Sequence, residues 1–215
     1  MRKVKWAVEY LKNSSKRVED PSSLKSQWKK DYKQLHVEIG CGKGNYSMDM
    51  ARMYPQDFFV AIEKNESAAG IAAKKFDEAQ DLNNLCLIHG DAISIGEWFD
   101  KEEIDVIHLN FSDPWPKKRY AKRRLSSSSF LDQYKTILSK DGEIQMKTDN
   151  ELLFEYSVLE FLSHDFILKD FCVNYRREPH PEDAITEYEE KFIAQNQPIF
   201  RCVLKKKEDP DENNS

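Results

Sequence analysis

From residue 35 onward, short apolar runs alternate with longer stretches in which apolar positions recur at helical spacing. HVEIG, FFVAIE, LCLIHGD, DVIHLNFSD and GEIQMKTD are rich in β-branched or bulky apolar residues, and most end at Gly, Asp or Asn. That is the pattern of buried strands. Between them, Met48, Ala51 and Arg52 fall in one helical stretch and Ala68, Ile71, Ala72 and Phe76 in the next. Phe130, Leu131, Tyr134, Ile137 and Leu138 form a single buried stripe, and a further helix is predicted from Glu151 to Ser163. Strands alternating with helices imply a mostly parallel sheet, covered on both faces and joined by right-handed crossovers. FILKDFCVNY and PIFRCVLKKK have no comparably clear helical segment between them and read as a final antiparallel pair. No internal repeat interrupts this order.

The pattern divides the chain into three parts. Residues 1–34 are polar, with one short helix expected from Val4 to Leu11 and then a loop through Asp20-Pro21 that need not be rigid. Residues 35–204 form one domain, and the charged tail 205–215 reads as disordered. The 215 residues suit one well-filled α/β domain, with 40% hydrophobic residues to supply its core. Charged residues, at 33%, exceed the usual share of about a quarter and point to a charged partner. The net charge of −5 argues against a uniformly basic surface. Cys41, Cys86, Cys172 and Cys202 are too scattered for a zinc site or a disulfide framework, so a reducing compartment is expected. The N-terminus lacks the apolar core of a signal peptide, and no run of about 18 apolar residues exists to span a membrane. The expected setting is therefore cytoplasmic. The five histidines show no metal-ligand spacing, and no metal is expected.

The first strand runs into Gly40-Cys41-Gly42-Lys43-Gly44 and then a helix. Glycines permit such a tight turn and let a ligand approach the backbone. Glu63 ends the next strand, 19 residues after Gly44, where such folds place a ribose-binding carboxylate. Asp91 ends the third strand at the same carboxyl edge. A phosphate-binding P-loop is excluded, because Lys43 is followed by Gly44 rather than Ser or Thr. A dinucleotide is disfavoured by the early third glycine and by Glu38, whose charge would repel a pyrophosphate. S-adenosylmethionine carries a sulfonium and an ammonium instead. Glu38 suits its cationic end, Glu63 its ribose and Asp91 its adenine edge, although each acid alone also reads as a helix cap or a solvated charge.

The fourth strand continues into Asn110-Phe111-Ser112-Asp113-Pro114-Trp115-Pro116, a loop stiffened by two prolines. Lys117, Lys118, Arg119, Lys122, Arg123 and Arg124 then place six cations in eight residues, with Tyr120 and Ala121 among them. A charge run is often just a solvated face, but this one lies mid-chain beside the proposed site. A polyanion is its natural partner, with phosphate contacts supplying affinity and position. Neutralising Lys122, Arg123 and Arg124 should then flatten the salt dependence of binding.

VEIGCGKG, NFSDPWPKKRYAKRR, EIQMKTD and TEYEEKF, in this order and spacing, resemble the bacterial tRNA (guanine-N7)-methyltransferases from Val37 to about Leu204. The SDPWPKKR element is the most specific of these. The resemblance implies a Rossmann-like, S-adenosylmethionine-dependent methyltransferase fold with a seven-stranded, mostly parallel sheet. It also implies methylation of guanine 46 in the tRNA variable loop, leaving S-adenosylhomocysteine as the other product. Glu38, Gly40, Gly42, Glu63, Asp91 and Asp113 match the cofactor site, with Asp113 also the implied catalytic residue. Lys117, Asp149, Thr186, Glu187, Tyr188 and Glu189 match substrate contacts, and Arg119, Tyr120, Ala121, Lys122, Arg123 and Arg124 match the segment that touches RNA. Many members carry histidine where this chain has Tyr120. For oligomeric state, monomer and homodimer both stay open.

The implied chemistry is mainly orientation and electrostatics, because guanine N7 carries a lone pair and no proton. A carboxylate beside the base, Asp113 or Asp149, would favour the positive charge that the purine acquires. Lys117 would face a phosphate or the base's O6. N7 is hidden in the deep groove of an RNA helix, so the base must be reached in a loop or drawn out of stacking. Trp115 or Tyr188 could stack on it, while Trp115 reads equally as a core anchor. Asp149 reads equally as the cap of the helix after it, and Thr186–Glu189 as the start of another. Three other functions fit parts of the pattern: a small-molecule methyltransferase, a nucleotide-dependent oxidoreductase and a non-catalytic RNA-binding protein.

Overall fold

The computed structural model describes residues 3–207. Helix α1 (Lys5–Leu11), the two-residue β1 (Arg17–Val18) and a 3-10 turn (Pro21–Leu24) precede the expected domain. The domain then alternates β2 (Leu35–Ile39), α2 (Asn45–Met53), β3 (Phe58–Glu63), α3 (Glu66–Glu78) and β4 (Leu85–His89). The short α4 (Ile95–Trp98) leads to β5 (Ile104–Asn110), α5 (Ser128–Ile137) and β6 (Leu138–Thr148). The last elements are α6 (Glu151–Ser163), β7 (Phe166–Cys172), α7 (Glu187–Ala194) and β8 (Phe200–Lys206). Asn65 caps α3 by accepting from the Ser67 and Ala68 N–H groups. Asn150 caps α6 through the Leu153 N–H, one place beyond the Asp149 suggested by the sequence.

The strands form one sheet in the order β1-β4-β3-β2-β5-β6-β8-β7. It has eight strands rather than the expected seven. The extra one is β1, which pairs parallel with β4 at the edge through Arg17 and Val18, a stretch too short to show strand periodicity. The closing antiparallel strand β8 lies between β6 and β7. Helix α7, of which the sequence marks only the start, precedes it. Of the tail from Lys205, Lys205 and Lys206 belong to β8, and 208–215 lie outside the described residues.

Residues 1–34 also pack on the domain in part. Helix α1 crosses α3 so closely that a Cβ on Gly70 would lie 1.9 Å from the Ala7 carbonyl oxygen, so only glycine fits there. Trp28 is buried, stacks near Phe99 and donates to the Trp98 carbonyl at 3.0 Å.

The two faces of the sheet differ chemically. On one, Val37, Ile62, Ile107, Ile144 and Leu204 join α5 and α6 in an apolar core. On the other, Phe59, Ala61, Leu85 and Leu87 pack on the alanine-rich α3, but only towards the β4 side. Towards β6 this face turns polar, with Glu38 opposite His108, His108 opposite Gln145, and Asn110 opposite Lys147. Buried polar groups must find partners. Glu38 pairs with Ser47 and Asn110, His108 with His36 and Tyr46, and Lys147 with Asp183 and Glu189 of the segment before and at the start of α7.

Candidate active site

Strand β2 has β3 on one side and β5 on the other, so the strand order reverses there and leaves a crevice beyond their carboxyl ends. A cavity of ≈ 900 Å³ opens at that point, within the usual range for small-molecule sites. Gly40 and Gly42 line it with φ of 81° and 58°, and a Cβ on either would meet nothing within 4 Å. Their missing side chains leave backbone facing open space. Gly44 serves packing instead, since its Cβ would press on the Phe76 ring at 2.6 Å.

Three acids converge on this cavity from successive strands. Glu38 is 5% exposed; its carboxylate accepts from the Ser47 hydroxyl and, at 3.1 Å, from Asn110 Nδ2. Burial raises its pKa above the ordinary carboxylate value, against the lowering effect of these two bonds and of Lys147. Glu63 accepts from the Gly42 N–H at 2.9 Å and the Asn65 N–H at 2.7 Å, which ties the glycine turn to the end of β3. Asp91 lines the cavity and accepts from the Ile93 N–H at 3.2 Å. Cys41, between the glycines, is pushed well above its usual pKa by burial and by Glu38 and Glu63.

Asp113 lies on the cavity rim, exposed, with no hydrogen bond among the described residues. Its loop is held in an uncommon shape, with Phe111 at φ 50° and Trp115 at φ 41°. Both are left-handed conformations that side chains with a Cβ disfavour. The cations that follow form a 3-10 turn over Lys118–Arg123. Arg123 lies 5.0 Å from the Trp115 ring centre and 4.8 Å from that of Tyr120, and Lys122 and Arg123 both line the cavity. Trp115 is half-buried, with Tyr120 against it edge-on.

The opposite wall is the start of α7, where four consecutive residues do different work. The Thr186 hydroxyl accepts from the Glu189 N–H, and the Glu189 carboxylate accepts from the Thr186 N–H, a reciprocal cap. Glu187 reaches across to the glycine turn, accepting from Lys43 Nζ at 3.0 Å and Asn45 Nδ2 at 2.8 Å. Burial would raise its pKa, but Lys43 and then Lys75 and Lys191 bring it below the ordinary value. Tyr188 is 55% exposed and stacks on Phe111, with ring centres 5.9 Å apart.

Glu189 turns away from the cavity. It is fully buried and accepts from Lys147 Nζ at 3.0 Å and Arg176 Nε at 2.8 Å. The same two cations hold buried Asp183, each at 2.7 Å, and Asp183 accepts from the Tyr46 hydroxyl at 2.8 Å. Lys117, Arg119, Tyr120, Ala121, Arg124 and Asp149 likewise do not line the cavity, although the first five sit on the loop and turn beside it. Asn110 and Glu187's partners Lys43 and Asn45 were not singled out by sequence. Asn110 opens the NFSDPWP element, and that position is its only signal. Among the described residues no cluster of His, Cys, Asp or Glu has metal-holding geometry, and no helix is long and apolar enough to cross a membrane.

A family model described as "Putative methyltransferase" matches residues 32–202. A tRNA (guanine-N(7)-)-methyltransferase from Oceanobacillus iheyensis is 42% identical over 201 residues, covering 92% of this chain and 94% of that protein. One from Clostridioides difficile is 39% identical over 211 residues, covering 96% and 98%. The chain belongs to the tRNA (guanine-N7)-methyltransferase family. Solved methyltransferases share the fold at much lower identity. A variant of the 16S rRNA (adenine(1408)-N(1))-methyltransferase from Catenulisporales acidiphilia, solved with cosubstrate SAM, superposes with TM-score 0.62 at 12% identity, covering 89% of this chain and 93% of that one. A SAM-dependent methyltransferase from Aquifex aeolicus gives 0.57 at 13%, covering 86% and 88%. Family membership agrees with the SDPWPKKR and TEYE elements that the rim and the opposite wall of the cavity carry.

Proposed function

We propose that this chain transfers a methyl group from S-adenosylmethionine to N7 of guanine 46 in the tRNA variable loop, in the cytoplasm. The observation that carries the reading is one cavity lined by Glu38, Glu63, Asp91 and Asp113 with Lys122 and Arg123 beside them. S-adenosylmethionine, when bound, supplies an electrophilic methyl group on a cationic sulfur. Gly40 and Gly42 fit that ligand by leaving backbone beside open space, Glu38 by offering a buried carboxylate to its cationic end, and Glu63 and Asp91 by offering carboxylates to hydroxyl and amine groups. Asp113 stands where the base would enter and favours positive charge on the purine. No residue has to remove a proton. Tyr188, exposed and backed by Phe111, offers the stacking surface, whereas Trp115 is occupied by Arg123 and Tyr120. The test is incubation with methyl-labelled cofactor and unmodified tRNA, followed by nucleoside analysis. Label in 7-methylguanosine is expected; label in another nucleoside, or tRNA binding without label, rejects the reading.

Three further results follow from the site. Glu63→Ala should weaken cofactor binding by calorimetry tenfold or more, because it removes a ligand contact and frees the glycine turn; wild-type affinity would remove Glu63 from the site. Cofactor affinity should fall with acidification, and should begin to fall at a higher pH than an exposed carboxylate would give, since protonation discharges Glu38 and its pKa is raised. Glu38→Gln should bind more weakly and lose that pH dependence. Neutralising Lys122 and Arg123 should flatten the plot of log affinity for tRNA against log salt by roughly 0.7–0.9 for each phosphate no longer neutralised. An unchanged slope would place the RNA elsewhere.

A further inference from the structure

Of the six cations between Lys117 and Arg124, five are exposed and one, Arg124, is half-buried. Its side chain turns back onto the loop that carries Asp113. Nε donates to the Pro114 carbonyl at 2.9 Å and Nη2 to the Trp115 carbonyl at 3.1 Å. The guanidinium lies over the Tyr156 ring of α6, 4.1 Å from its centre. A planar fork bonded to two consecutive carbonyls while resting on an aromatic face is arginine geometry, which the single ammonium of lysine cannot reproduce.

Ring contacts from Arg123 and Tyr120 hold the Trp115 side chain, but the backbone that this fork holds has no other hydrogen bond. Phe111 N–H donates to the Lys147 carbonyl and Tyr120 N–H to the Lys117 carbonyl, but between them residues 112–116 make no other hydrogen bond to the described residues. Pro114 and Pro116 have no N–H to offer. Trp115 nevertheless adopts a left-handed backbone, a strained conformation that persists only where its surroundings over-determine it. The Arg124 fork fixes both carbonyls on either side of that strained residue. Asp113 immediately precedes Pro114 and, like Trp115, lines the cavity.

We propose that Arg124 is a positioning residue for methyl transfer, bracing the Pro114–Trp115 carbonyls and thereby fixing Asp113 at the cavity rim, while the neighbouring cations grip RNA. This rests on the function proposed above and narrows the RNA-contact role implied for Arg119–Arg124. The basic segment then has two tasks: its exposed members supply salt-dependent affinity, and its half-buried last member supplies geometry.

The test compares the full-length wild type with Arg124→Ala and Arg124→Lys. Single-turnover methylation at saturating tRNA, tRNA affinity across a salt series, and amide hydrogen exchange over residues 111–117 are measured on each. Arg124→Ala should slow methylation tenfold or more while its tRNA affinity stays within about twofold and its salt slope is unchanged. Exchange over 111–117 should rise with the rest of the protein protected as before. Arg124→Lys should recover little of the rate despite keeping the charge, and added ethylguanidinium should restore part of it to Arg124→Ala. A flattened salt slope with a wild-type rate at saturation, or full activity in Arg124→Lys, overturns the proposal. If wild type methylates no tRNA, the function reading fails by itself, and the exchange measurement still decides the brace: unaltered exchange over 111–117 in Arg124→Ala overturns it.

Discussion

Asp113→Ala is expected to slow methylation of tRNA by roughly a hundredfold or more, in line with the loss of one well-placed polar group from a catalytic site. A hundredfold corresponds to about 2.7 kcal/mol of barrier. The expectation comes from placement. Asp113 is on the cavity rim, makes no hydrogen bond among the described residues, and is carried by a loop with left-handed residues on both sides. A carboxylate held without a protein partner at the mouth of a ligand cavity is available to a base that gains positive charge. Asp113→Asn keeps shape and hydrogen-bonding capacity but removes charge, so its rate should fall between the two. Single-turnover rates at saturating cofactor and tRNA read this directly, and near-normal rates for Asp113→Ala would take the residue out of the mechanism.

Glu189→Ala should destabilise the folded protein by about 3–5 kcal/mol, the usual cost of removing one partner from a buried ion pair. Lys147, Arg176, Asp183 and Glu189 form a neutral group of two cations and two anions, all but cut off from water. Removing Glu189 strands a net positive charge in that interior and opens the reciprocal cap on α7. At roughly 2–4 °C per kcal/mol for a chain of this size, the melting temperature should drop by about 6–20 °C. A direct substrate contact would behave differently, with an unchanged melting temperature and weaker tRNA or base binding. Glu189→Gln, which keeps the shape and part of the hydrogen bonding, should lose less. A thermal scan on the three proteins separates a residue that positions α7 from one that touches substrate.

The central strands and their helices were legible because each buried strand is a short apolar run closed by Gly, Asp or Asn, and because Phe130, Leu131, Tyr134 and Ile137 face one core. The helix Glu151–Ser163 matches its expected span, although its cap is Asn150 rather than Asp149. The glycine turn and Glu38, Glu63, Asp91 and Asp113 came together as their strand ends implied. Other parts left no local signal. Strand β1 is two residues whose pairing depends on an edge 70 residues away in the chain. The polar face around His108 and Lys147 was invisible within strands that read as uniformly buried, because the partners are distant in the chain: His36 and Tyr46 for His108, Asp183 and Glu189 for Lys147. For the same reason TEYE looked like one unit. Only the fold separates the buried Glu189 from Thr186, Glu187 and Tyr188, which line the cavity.

Which atom accepts the methyl group decides the chemistry most directly. A tRNA carrying 7-deazaguanosine at position 46 replaces that nitrogen with C–H and changes little else. It should bind with affinity close to that of the unmodified tRNA and accept no methyl group from labelled cofactor, while the guanosine control is methylated. Incorporation into the deaza tRNA at the control rate would contradict the proposed chemistry.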